Sequence, residues 1–148
     1  MQENKIGLPI LYALLGALIG GIVWGLIAVL FDYELGLVAW AIGGLTGYAV
    51  VFAAKGSITT LHQIIAVVTS LIGIILGKYF SFAYYFNEGF EGMFDSFTFA
   101  YFRAYFTDLF GGMDIIFILL AIITAWQIPG KQMNLTESNT TEQQIDDK

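Results

Sequence analysis

The chain has 148 residues, of which 57% are hydrophobic and only 12% charged, with a formal net charge of −6, a sequence pI near 4.4 and a mean hydropathy of +0.75. So apolar a chain cannot cover a water-facing surface of ordinary polarity, which excludes a soluble enzyme domain. The acidic balance excludes a nucleic-acid partner, which needs clustered Lys and Arg, and with no cysteine there is no disulfide, thiol nucleophile or thiolate metal site.

After a polar lead from Met1 to Lys5, the first long apolar run predicts a span over about residues 8–30, with Pro9 accommodated in its first turn. It is too long for the core of a signal peptide, so we read it as a retained helix. The acidic, aromatic turn from Phe31 to Leu35 leads into a second span over about 36–54. Each run crosses a hydrocarbon core about 30 Å thick at about 1.5 Å per residue.

Small residues recur along both runs. Gly16, Gly20, Gly21 and Gly25 line the first, and Gly43 and Gly47 line the second. Such faces let helix backbones touch in a bilayer, where apolar burial offers no drive for association. The simplest assembly is an antiparallel hairpin in which the two grooved faces meet. The run Glu34-x-Gly36-x-x-Ala39-Trp40-x-Ile42-Gly43-Gly44-Leu45-x-Gly47-Tyr48 resembles helices of small bacterial multi-spanning proteins, and the resemblance transfers no functional residue.

A third span is expected over about 60–80, capped near Thr59 or Thr60 and carrying the pair Gly73 and Gly77. It ends in a cluster of aromatic rings around Lys78, the composition of a membrane boundary. The segment 93–110 carries charges, yet Phe94, Phe97, Tyr101 and Tyr105 repeat at three- and four-residue spacing. That pattern predicts an amphipathic aromatic helix lying at the interface between spans 3 and 4. Gly111-Gly112 introduces a fourth span over about 112–128, which Pro129-Gly130 should end. Residues 131–148 are polar and are expected to be a disordered tail behind a four-helix domain of residues 1–130.

Orientation follows from Lys and Arg. With both termini cytoplasmic, Lys5, Lys55, Lys131 and Lys148 lie inside, against Lys78 and Arg103 outside. The brevity of the chain and the lack of a targeting segment fit a bacterial inner membrane. No internal repeat supports an inverted-repeat transporter.

Three residues are candidates for chemistry. His62 is a possible proton or pH site near the cytoplasmic face, or an interfacial side chain whose tip reaches water. Lys78 and Asp114 fall at similar depth on spans of opposite direction. They form a candidate intramembrane pair, serving either as a gate or as a structural clamp. Asp32, Glu34, Glu88, Glu91, Asp95 and Asp108 would form an acidic outer rim. No nucleophile and base pair, nucleotide loop, HExxH or compact metal-ligand spacing is present, so neither catalysis nor a cofactor is expected. The expected function is that of a non-enzymatic subunit or scaffold in a membrane complex, a homo-oligomer or a larger assembly, held by its small-residue faces. The alternative is a small oligomeric transporter or channel.

Overall fold

A computed structural model describes residues 4–32 and 36–148, and among these the fold is entirely helical. Five helices follow in order: α1 (Asn4–Phe31), α2 (Leu37–Ala54), α3 (Thr60–Asn87), α4 (Ser96–Ala104) and α5 (Gly112–Asp146). Four of them are long and apolar enough to cross a membrane, namely Ile6–Phe31 of α1, then α2, α3 and α5. This is a multi-pass membrane architecture. Tyr33 and Glu34, in the expected acidic turn, lie outside the described residues.

The small residues set how these helices pair. Along α1, Gly21 approaches the backbone of Gly73 and Gly77, while Gly73 in turn approaches that of Ala17 and Gly77 meets the Trp24 side chain. Both sets of numbers rise together, so α1 and α3 run parallel with their backbones in contact. The second close pair is α2 with α5: Gly36 faces Phe117, Gly43 faces Ala121, and Gly47 faces Ala125 and Ile128. These two helices are parallel as well. A Cβ on Gly43 would lie 2.4 Å from the Ala121 carbonyl oxygen, so this position admits no side chain unless the helices part.

The expected hairpin is therefore only one part of the packing. Gly16 and Gly20 do face α2, where they receive Leu45, Ala49 and Ile42. That antiparallel contact sets side chains into a groove, and the backbone-to-backbone contacts lie instead between helices that are not consecutive. Trp24, Ala28, Ala39, Ile42, Ile74 and Ala121 form one buried cluster. Ala13, Val50, Ile65, Ala66 and Ala125 form a second toward the end that carries the termini.

Besides α1, which begins at Asn4 and so holds Pro9 inside the helix instead of in its first turn, three boundaries differ from those expected. First, α3 does not stop near residue 80 but reaches Asn87, giving 28 residues or about 42 Å. Its extra turns are held from the side: the Tyr85 hydroxyl lies 2.8 Å from the Ala28 carbonyl and 3.0 Å from Asp32 Oδ1 at the end of α1. Second, helix within the aromatic segment 93–110 is confined to the nine residues of α4, because turns occupy the flanks. Thr98 locks the first turn by donating to the Gly92 carbonyl at 2.8 Å, and Asn87 Nδ2 donates to Thr98 Oγ1 at 3.0 Å.

Third, α5 passes through Pro129 and continues to Asp146, where the sequence suggested a stop and a disordered tail. The proline supplies no N–H to the Ala125 carbonyl, but Gln63 of α3 donates to the neighbouring Trp126 carbonyl at 2.9 Å. Beyond it the helix only has to propagate, which avoids the unfavourable nucleation step. The hydroxyls of Thr136, Thr140 and Thr141 turn back onto carbonyls four residues earlier.

Candidate functional site

Lys78 stands on the inner face of α3 with only 2% of its side chain exposed. Its ammonium lies 3.0 Å from Asp114 Oδ2 and donates to the Leu109 carbonyl at 3.1 Å. The Trp24 and Phe110 ring centroids are 5.7 and 5.5 Å from the same nitrogen, within the range of cation–π attraction. Four parts of the fold thus meet on one cation: α1, α3, the connection after α4, and the first turn of α5.

Asp114 reaches this position because α5 begins two residues before it. Its Oδ2 also accepts the Gly111 N–H at 3.0 Å, so one carboxylate caps the helix, sits at its positive end and neutralises Lys78. The carboxylate is 17% exposed whereas the ammonium is enclosed. An ion pair in an apolar interior is expensive to leave half made, because removing either partner strands the other charge. Chemically, the arrangement can clamp the connection onto the bundle, and it can exchange with a cation or proton only from the Asp114 side.

His62 is 3% exposed and lies at the start of α3. Its Nδ1 accepts the Thr59 N–H at 3.1 Å and lies 3.0 Å from Thr59 Oγ1. The imidazole therefore caps the helix that carries it, and its tip does not reach water as an interfacial His would. With Nδ1 serving as acceptor, the ring proton sits on Nε2, a buried atom without a hydrogen-bond partner in the structure. His62 and Lys78 are sixteen residues apart on α3, a rise of about 24 Å, so the candidates form two sites rather than one.

The eight glycines singled out as packing residues, Gly16, Gly20, Gly21, Gly25, Gly43, Gly47, Gly73 and Gly77, all face another helix of the same chain. Large side chains cover the outside instead. Phe90, Phe94, Phe97 and Phe99 are 66, 84, 62 and 53% exposed. Around them α4 lies across α3 rather than along it: Phe97 and Tyr101 both meet Phe86, while Phe99 and Phe102 both meet Tyr79. The Tyr79 hydroxyl donates to the Met93 carbonyl and closes the turn above. Among the described residues no three His, Asp or Glu side chains are placed to hold a metal ion.

Sequence reasoning missed Gln63, which is 5% exposed and carries a helix-to-helix hydrogen bond. Pro129 did not point to it, because the carbonyl it leaves without an N–H is that of Ala125, whereas Gln63 bonds the Trp126 carbonyl. Sequence reasoning also missed Trp24 and Phe110 as walls around Lys78. Compared with protein-family models, curated proteins and solved structures, the chain matches none.

Proposed function

We propose that this chain is a non-enzymatic subunit or scaffold of a membrane complex, and that it meets its partner through the aromatic flank built by α3, the 88–95 turn and α4. The carrying observation is the division of its surfaces. The glycine faces that would bind another helix are occupied inside the chain, whereas Phe90, Phe94, Phe97 and Phe99 point outward from a rigid aromatic base. Exposed rings of this density, supported from beneath, are what the centre of an interface uses. They also suit a headgroup boundary, and α4 is read as an interfacial helix whose partner docks at that level.

The orientation keeps both termini cytoplasmic, in a bacterial inner membrane. Lys78 is neutralised within the bundle and so does not count as a loop charge, which leaves Arg103 against Lys5, Lys55, Lys131 and Lys148. A photocrosslinker at Phe94 or Phe97 in native membranes tests the surface. Discrete protein adducts there, and none from the lipid-facing Ile19, are expected. Equal labelling from all three positions would defeat it.

A second reading, a small oligomeric transporter or channel, is favoured by the Lys78 and Asp114 pair, since intramembrane charges commonly mark ion pathways. It predicts flux in liposomes that changes in Asp114→Asn. No flux in the wild type, or unchanged flux in the variant, removes it.

A further inference from the structure

Two cavities adjoin each other between α3 and α5 at the end of the bundle that carries the C-terminal helix extension. The one nearer the middle of the bundle, an open groove of about 450 Å³, is lined by Ile64, Val67, Val68, Ile122, Ile123 and Trp126. The outer, of about 350 Å³, is lined by Gln63, Gln127, Lys131 and Asn134, and it shares Trp126 and Gln127 with the first. Apolar walls thus give way to amide and ammonium groups across one tryptophan. From Ile122 to Lys131 the helix rises about 14 Å, roughly half the thickness of the hydrocarbon core.

We propose that this cleft is a binding site for one anionic phospholipid of the leaflet on the side of the chain termini. The inference goes beyond the proposed function and rests only on the membrane reading of the four helices. An acyl chain lies along Ile64, Val68 and Ile123, and the phosphodiester sits at the mouth against Lys131, whose stem follows the helix surface while its charge stays at headgroup depth. Gln127 and Asn134 offer amide donors to the phosphate and glycerol oxygens. Charge selects the headgroup: among the described residues the ion pair in the structure is Lys78 with Asp114, so no carboxylate neutralises Lys131. The walls are prearranged, because Gln63 ties α3 to α5 at the Trp126 carbonyl, where the two cavities join.

The test is native mass spectrometry of the whole protein in mild detergent, titrated with phosphatidylglycerol and with phosphatidylcholine of identical chains. One phosphatidylglycerol should be retained about fivefold more tightly than phosphatidylcholine, the preference a single lysine near a phosphate supplies. Lys131→Gln, an exposed change that leaves the bundle intact, should abolish the preference while phosphatidylcholine binds as before. Val68→Trp or Ile123→Trp, filling the apolar groove, should reduce both lipids. Equal retention of the two lipids by the wild type, or a preference that survives in Lys131→Gln, would overturn the proposal. Failure here leaves the aromatic flank, at the opposite end of the bundle, unaffected as a partner surface.

Discussion

The interior of the bundle and its aromatic flank are built from opposite residue types. Between α1 and α3, and between α2 and α5, glycine and alanine remove side chains until backbones touch. Across α3 and α4 rings meet rings, with centroids between 5.1 and 6.4 Å. The interior is exact about shape, because a single added carbon meets backbone. The flank is tolerant, because rings at its edge face outward and can be exchanged without opening the core. A surface that must change partners or adapt to one is better placed on the second kind of structure.

That contrast can be broken first at the charge buried within the interior. Asp114→Asn should lower stability by about 3 kcal/mol, because the enclosed Lys78 loses its counter-charge. Adding Lys78→Met should restore more than half of that, as unfolding in mixed detergent micelles would register. If the double variant is no better than the single one, the pair is not the clamp described.

Next come the glycines, where neighbouring positions make opposite predictions. Gly43→Ala should cost about 2 kcal/mol, since its Cβ would press on the Ala121 backbone at 2.4 Å. Gly44→Ala should stay within about 0.5 kcal/mol, because the nearest atom is Thr124 Cγ2 at 4.0 Å. Thermal melts of the two variants side by side decide it. Gln63→Leu should cost about 1 kcal/mol by deleting the bond to the Trp126 carbonyl, with α5 loosening near Pro129 as seen by hydrogen exchange. The flank comes last: Phe94→Ser with Phe97→Ser should cost no more than about 1 kcal/mol, through the Phe97 ring contacts with Phe86 and Tyr101, yet abolish association with the partner.

How much of this could be read in the chain depended on the kind of question. Four spans follow from the lengths of the apolar runs, and the meeting of Lys78 with Asp114 follows from their depth on oppositely directed helices. Which glycine face meets which helix does not follow, because a four-residue period marks a small face without naming its neighbour; Gly43 meets Ala121, 78 positions away, only through the lateral order of the helices. Pro129 suggested a helix end because its effect on α5 was judged locally, whereas Gln63 acts from another helix. The short α4 was hidden by a continuous aromatic period that runs on through turns. The position of His62 in the chain does not reveal that its ring is enclosed and its Nδ1 engaged by Thr59.

The most direct measurement is the native mass of the protein extracted gently from its own membrane, for the wild type and for Phe94→Ser with Phe97→Ser. The account predicts a discrete assembly larger than one chain in the wild type and a folded single chain in the variant. A wild type that is already a lone monomer, or a variant that keeps its partner, would contradict it.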